Sequence, residues 1–147
     1  MNIMLWNATI FLATLSIHEL GHVFFGIYSG CENGRAIVFD TSQPGPYAEL
    51  SCSAERNIIL PEIGGVLLTF LFGFLFMFIV DKPQKNFVIV IIGLSILFGA
   101  IDLSVLTGFE IVQFISILFG LVLISTGELL TSSAYLEIEH TFFKQIE

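Results

Sequence analysis

Residues 18–22 read His-Glu-Leu-Gly-His, and they lie inside an apolar run that extends from Ile3 to about Ser29. A run of this length is enough for an α-helix that crosses a bilayer, which needs about 20 residues. Each ionisable residue within such a span costs roughly 2.5–3.5 kcal/mol on insertion scales. Three ionisable side chains within five positions therefore indicate a site with a specific role.

The spacing of His18 and His22 suits a shared metal ion. Residues four apart lie on one face of a helix with Cβ atoms about 6 Å apart, so both imidazoles can reach one ion while Glu19 stands beside them. This HExxH pattern is typical of catalytic zinc sites, where the glutamate is the general base. We therefore predict Zn²⁺ bound by His18 and His22 with Glu19 as the base, although Fe²⁺, Co²⁺ or Mn²⁺ would suit the same donors.

The composition is that of an integral membrane protein. Of the 147 residues, 55% are hydrophobic and only 12% are charged, against roughly 25% charged residues in soluble domains. The net charge of −8 comes from acids spread through the loops and the C-terminal segment. The five Lys and Arg residues give no support for a nucleic-acid partner. We expect a single domain, residues 1–147, whose surroundings are the lipid bilayer.

Four long apolar segments predict an all-α polytopic membrane protein. The expected spans cover about residues 3–29, 60–80, 87–106 and 111–130, and an acidic, amphipathic tail follows over residues 131–147. The second span begins at Pro61, a residue that is favourable in a first helical turn. The first span has no basic start and no small-residue cleavage site, so we expect it to be retained rather than removed as a signal peptide.

The few basic residues predict an orientation. In the four-span layout, Lys82, Lys85 and Lys144 fall on the side of the N-terminus, whereas Arg35 and Arg56 fall on the other side. Cytoplasmic loops of membrane proteins carry an excess of Lys and Arg. We therefore expect a multi-pass protein with both termini in the cytoplasm.

The polar loop between the first two spans predicts a short β-hairpin. Arg35 to Asp40 and Tyr47 to Cys52 read as strands, and the turn residues of 41–46 separate them. The two cysteines, Cys31 and Cys52, flank this hairpin. A disulfide between them is compatible with an oxidising compartment, and two free thiols are equally compatible with the sequence.

A zinc site with two histidines needs a further protein ligand. His18 and Asp102 both lie about 15 residues into parallel spans, so both sit roughly 22 Å along their helices and should meet at one level. We therefore predict Asp102 as the third ligand, with Glu62 and Glu128 as alternatives. If Asp102 is not a ligand, its simplest role is an inter-helix hydrogen bond to Ser or Thr. The candidates considered are Glu62, Asp102, Glu110, Glu128 and His140.

The motif at residues 18–22, the glycine pair Gly64-Gly65 and the later Asp102 resemble the site-2-protease-type intramembrane zinc metalloproteases, most closely their small, minimal members. The resemblance covers about residues 15–106. Where many members carry Leu-Asp-Gly near an Asn-Pro pair, this chain has Ile101-Asp102-Leu103 with neither Asn nor Pro close by. The resemblance implies hydrolysis of a peptide bond in or near a transmembrane segment of a membrane-protein substrate.

The hairpin strands Arg35 to Asp40 and Tyr47 to Cys52 are the expected substrate-binding element, because an exposed strand edge can hold an extended peptide. A loop that only caps the site is the simpler alternative. We also expect that any regulation comes from a membrane partner, or from the loop and the tail. Two other functions fit the same residues: a non-catalytic membrane module that binds a metal or a partner protein, and a metal or proton transporter. The transporter is disfavoured because no chain of relay residues is visible.

Overall fold

A computed structural model describes residues 3–40, 45–53 and 59–144. The described chain consists of five α-helices and one two-stranded sheet, with a 3-10 turn at Lys82–Asn86 between the second and third helices. The helices are α1 (Ile3–Tyr28), α2 (Ile59–Ile79), α3 (Phe87–Phe98), α4 (Ala100–Thr107) and α5 (Glu110–Lys144), and the strands are β1 (Asn33–Ile37) and β2 (Tyr47–Ser51).

Three helices are long and apolar enough to cross a membrane: α1 from Met4, α2, and the part of α5 from Glu110 to Glu137. The segment formed by α3 and α4 makes a fourth if the bent pair counts as one span. Their length and composition agree with the predicted all-α polytopic arrangement. The large apolar side chains exposed along these helices, such as Phe74 and Phe78 on α2, are those that a lipid environment would cover.

The third predicted span is not one straight helix. The axis bends by 47° between the segment that ends at Phe98 and α4, with Gly99 (φ −76°, ψ 4°) at the break. A Cβ atom on Gly99 would overlap the side chain of Val66 on α2. The predicted span over residues 87–106 is therefore divided into two helices at Gly99, because tight packing against α2 requires a glycine there, which weakens the helix interior.

The two strands pair in antiparallel fashion, with Asn33 opposite Ser51 and Ile37 opposite Tyr47. The first strand begins before the predicted Arg35 and ends before Asp40. Pairing extends further at the cysteine end because Cys31 and Cys52 form a disulfide, and the N–H of Glu32 donates to the carbonyl of Ser51 at 2.9 Å. The predicted hairpin is thus present with a shifted first strand, and most of its predicted turn, residues 41–44, lies outside the described part of the chain.

The predicted tail is not a separate segment. Helix α5 continues through residue 131 to Lys144 without a break. Thr131, where the tail was expected to begin, is fully buried, and its hydroxyl donates to the carbonyl of Gly127 at 2.8 Å. A hydroxyl satisfied by its own helix permits burial of the residue in a continuous helix. Arg56, one of the basic residues on which the predicted orientation depends, lies outside the described residues, as do residues 145–147 of the predicted tail.

The apolar core joins the first half of α1 to α3. Its buried members are Ile10, Phe87, Val90, Ile91 and Leu94. Trp6 on α1 stacks on Phe87 with ring centroids 6.1 Å apart. This packing holds α3 beside α1, so that α4, which follows α3, lies near the second half of α1, where the motif at residues 18–22 is found.

Candidate metal centre

Three side chains from two distant parts of the chain converge on one point. Helix α1 presents His18 and His22 one turn apart, and the first turn of α4 presents Asp102. The Nε2 atom of His18 lies 3.1 Å from Asp102 Oδ2, and that of His22 lies 3.4 Å from the same oxygen. The two Nε2 atoms are 3.2 Å apart. The structure therefore brings the three predicted ligands together, and this group could hold a metal ion.

The size of this triangle fits a tetrahedral ion. Two ligand atoms bound at about 2.0–2.1 Å in tetrahedral geometry are about 3.3 Å apart. The three observed separations of 3.1, 3.2 and 3.4 Å are close to that value. Two imidazoles and a carboxylate are also a donor set that suits Zn²⁺. The donors present thus fit the predicted metal both in geometry and in chemistry.

The orientation of His22 is fixed by a backbone carbonyl. Its Nδ1 atom lies 2.8 Å from the carbonyl oxygen of Pro61 in the first turn of α2. Since a carbonyl oxygen only accepts, the proton resides on Nδ1, and in the neutral ring the lone pair of Nε2 points toward the cluster. Metal-binding histidines commonly have their second ring nitrogen held in this way.

His18 is held differently. It is only 3% exposed, and its Nδ1 atom is buried without a hydrogen-bond partner among the described residues, as is the hydroxyl oxygen of Thr14 one turn earlier. Its ring packs edge-on against Phe98, with centroids 6.1 Å apart, and against the ring of His22 at 4.8 Å. Packing on α3 and the contact with Asp102 therefore orient this imidazole.

The imidazoles lie at a helix crossing that only glycines permit. A Cβ atom on Gly65 would lie 2.6 Å from Nε2 of His22 and 2.8 Å from Nε2 of His18. On the other helix, a Cβ atom on Gly21 would overlap the carbonyl of Gly64. The glycine pair of α2 therefore lets its backbone approach α1 directly opposite the two histidines, and a side chain at position 65 would enter the space between their nitrogens.

Glu19 shares a cleft with the three converging residues. It is 6% exposed, and it borders an opening of about 310 Å³. The lining of this cleft is built from α1, α2, α3, α4 and the hairpin: His18, Glu19, His22, Pro46, Tyr47, Ala48, Leu50, Pro61, Glu62, Phe98, Ile101 and Asp102. A carboxylate beside the three donors in a shared cleft has the position expected of a base that acts on a molecule bound there.

Of the two strands, it is β2 that borders the cleft, through Tyr47, Ala48 and Leu50. One edge of β2 pairs with β1, and no third strand pairs with its other edge within the described residues. The Tyr47 hydroxyl donates to the Asp40 carboxylate at 2.7 Å, and this hydrogen bond raises the pKa of Tyr47. The hydrogen bond ties the strand to the chain beyond β1.

The alternative ligands do not join the cluster. Glu62 borders the cleft without being part of the converging group. Glu128 accepts a hydrogen bond of 3.0 Å from Asn7, which lies about 16 Å along α1 from the first histidine of the motif. Glu110 lies in the first turn of α5. The side chain of His140 lies outside the part of α5 whose side chains are described.

Sequence reasoning missed the bend at Gly99 and the contact of the Pro61 carbonyl, and it did not connect the close helix contact at Gly65 with the two histidines. The sequence Pro-Glu-Ile-Gly-Gly at residues 61–65 was the available signal, since a glycine pair in an apolar helix often marks a close helix contact. No family model, curated protein or solved structure matches this chain. The resemblance stated above thus rests on sequence motifs alone.

Proposed function

We propose that the protein is an intramembrane zinc metalloprotease that hydrolyses a peptide bond in or near a transmembrane segment of a membrane-protein substrate. The observation that carries this proposal is the triangle of His18, His22 and Asp102, with sides of 3.1–3.4 Å, in a cleft that also contains Glu19. A Zn²⁺ ion held by these three donors would keep room for a water or a substrate, as catalytic zinc sites do.

His18, His22 and Asp102 would hold the ion. Zinc, when bound, supplies a Lewis acid that polarises a carbonyl and acidifies water. The Glu19 carboxylate accepts the proton of the attacking water and then donates it to the amine nitrogen that leaves. Glu19 lines the same cleft as His18, His22 and Asp102, so its carboxylate is available to a peptide bond held there.

The hairpin supports a role in binding an extended substrate. A helical substrate hides its carbonyls in its own hydrogen bonds, so it must unwind locally before one can react. The unpaired edge of β2 can take up the released backbone groups by strand addition. Tyr47, Ala48 and Leu50 already border the cleft. The simpler alternative is that the hairpin only covers the cleft.

The second candidate is a non-catalytic membrane module that holds a structural metal or a partner protein. A structural zinc site is normally closed by four protein ligands, whereas the described residues converge as a group of three. A structural site also has no need of Glu19 in the same cleft. The transporter hypothesis is disfavoured because the apolar core of Ile10, Phe87 and Ile91 packs α1 against α3 beyond the site.

The test combines metal content with cleavage. The full chain is purified in detergent, and zinc is measured by elemental mass spectrometry in the wild type, His22→Ala and Asp102→Ala. We expect about one zinc per chain in the wild type and loss in both variants, because each removes one of three ligands. If Asp102→Ala keeps its zinc, the third ligand is another residue, with Glu62 and Glu128 the next to be substituted.

Cleavage is measured on synthetic single-span peptides reconstituted with the protein in liposomes, with products identified by mass spectrometry. We expect Glu19→Gln to keep its zinc and to cut about 10²–10⁴-fold more slowly, since it removes general-base catalysis. Glu110→Gln, which lies outside the cleft, should cut as the wild type does. Zinc-loaded Glu19→Gln that cuts at the wild-type rate would favour the non-catalytic module.

A further inference from the structure

The disulfide and the cleft lie at the same end of the helix bundle. Cys31 follows the end of α1 at Tyr28 and is bonded to Cys52 at the end of β2. His22 is six residues before Tyr28, which is about 9 Å along the helix. His18, in contrast, is about 22 Å from the start of α1 at Ile3. The converging ligands are therefore much closer to the disulfide end than to the N-terminal end.

The walls of the cleft also belong to the disulfide end. The first turn of α2 contributes Pro61 and Glu62, and β2 contributes Tyr47 and Leu50. Both segments follow the C-terminal end of α1 in the chain. A molecule that enters the cleft past these residues therefore approaches from the hairpin side.

The chemistry of the two ends differs. Disulfides persist in oxidising compartments and are rare in the cytosol, and both cysteines of the chain are in the Cys31–Cys52 bond. At the opposite end, the turn Lys82–Asn86 carries Lys82 and Lys85, as is usual for a cytoplasmic turn. The charge count leans the same way, with three Lys on the side of the turn against Arg35 and Arg56 on the hairpin side. The disulfide therefore carries the assignment of the hairpin to the side away from the cytoplasm.

We propose that the cleft opens on the extracytoplasmic side of the membrane and that its substrates are membrane proteins cut near the extracytoplasmic end of a spanning segment. The substrate class rests on the proposed function, whereas the orientation does not. His22 and His18 lie on the order of 9 to 15 Å inside the end of α1. The reactive position in the substrate should lie at a similar depth below that membrane surface.

The orientation is tested by thiol labelling of the full chain in intact cells. A membrane-impermeant maleimide should label Cys52, which is exposed, only after treatment with an impermeant reductant, because its sulfur is bonded to the buried Cys31 and lies on the outer side of the membrane. Labelling without reduction would show free thiols and overturn the proposal. Labelling of the reduced protein only after permeabilisation would overturn it as well.

Two single-cysteine variants provide a matched control in the Cys31→Ser/Cys52→Ser background. Ser53→Cys, next to β2, and Asp81→Cys, at the turn between α2 and α3, are both exposed positions. We expect Ser53→Cys to be labelled in intact cells and Asp81→Cys only after permeabilisation. The reverse pattern would contradict the proposed orientation. None of these readouts depends on zinc or on cleavage.

The substrate class is tested with the liposome assay. Peptides carry different sequence tags at their two ends, and the cut is mapped relative to the end that emerges on the Ser53 side. We expect the cut in the half of the span nearest that end, and a cut in the half nearest Asp81 would overturn the substrate class. If labelling gives the expected pattern while zinc-loaded protein cuts no peptide, the proposed function fails and the orientation stands.

Discussion

At the scale of single residues, the site depends on groups that perform no chemistry themselves. The carbonyl of Pro61 fixes the tautomer of His22, and the missing side chain of Gly65 leaves room for the nitrogens of both histidines. Neither position would be recognised from the HExxH motif. Their effect is to place donor atoms within a few tenths of an ångström of the spacing that a tetrahedral ion requires.

Gly65→Ala tests this directly. The new methyl group would lie 2.6 Å from Nε2 of His22, so the rings must move apart or the two helices must separate. We expect zinc affinity, measured by competition with a chromophoric chelator, to fall by at least about tenfold, in line with the weakening that changes around metal ligands produce.

Gly73→Ala is the matched control on the same helix, because its methyl group would lie 3.2 Å from the Ile91 side chain and far from the donors. The extra methyl group should lower the free energy of unfolding by at most about 1–3 kcal/mol, which is the usual cost of overpacking. Zinc affinity should stay unchanged. Equal loss of zinc in both variants would mean that general disruption of α2, and not the space beside the histidines, controls metal binding.

At the scale of elements, the bend between α3 and α4 places the carboxylate. Gly99 contacts Val66 so closely that any side chain would overlap it, and Asp102 follows in the first turn of α4. Counting residues along two straight parallel helices predicted the level of Asp102 well, because rise per residue is nearly constant. It could not predict the bend, since that depends on a contact between residues far apart in sequence.

A double-mutant cycle isolates this contact. Gly99→Ala should push α4 away from α2 and weaken zinc binding, whereas Val66→Ala alone should cost only packing. In the double variant the smaller residue at position 66 makes room for the new methyl group, so zinc affinity should recover toward the wild-type value. Additive losses of zinc affinity would show that the contact does not position Asp102.

At the scale of the whole molecule, the disulfide fastens the hairpin to α1. It closes a loop with a sequence separation of 21, and the Leu50 side chain packs against Gly26, where an added Cβ atom would lie 2.5 Å from it. A loop of this size contributes roughly 3 kcal/mol through the entropy of the unfolded chain. The same covalent bond thus holds the hairpin that lines the cleft and contributes to the stability of the protein.

Cys31→Ser/Cys52→Ser should therefore lower Tm in detergent by several degrees and slow peptide cleavage, while the zinc content stays near one per chain because no ligand is in the hairpin. Treatment of the wild type with a reductant should reproduce the change, and the same treatment of the double variant should have no effect. An unchanged Tm after complete reduction would contradict this assignment of stability.

The sequence predicted the apolar helices, the hairpin and the residues that converge, because hydrophobic run length and helix spacing are local properties. The exact strand ends, the bend at Gly99 and the continuation of α5 through Thr131 were not predictable in this way. The strand ends and the bend depend on partners elsewhere in the chain, Ser51 for Glu32 and Val66 for Gly99. The continuation of α5 involves instead a local hydrogen bond from the Thr131 hydroxyl to the carbonyl of Gly127. The sequence also could not decide between a disulfide and two free thiols, because the distance between Cys31 and Cys52 depends on the pairing of the strands.

The crossing of α1 and α2 also has a consequence for evolution. Any codon change that gives position 65 a side chain places atoms against both histidine nitrogens, so such a change should be eliminated wherever the metal is needed. Lipid-facing positions such as Phe74 or Phe78 can exchange among apolar residues at little cost. Distant relatives should therefore be recognisable by a His-Glu-x-x-His helix followed, after a polar loop, by a glycine pair, even where the rest of the sequence has diverged.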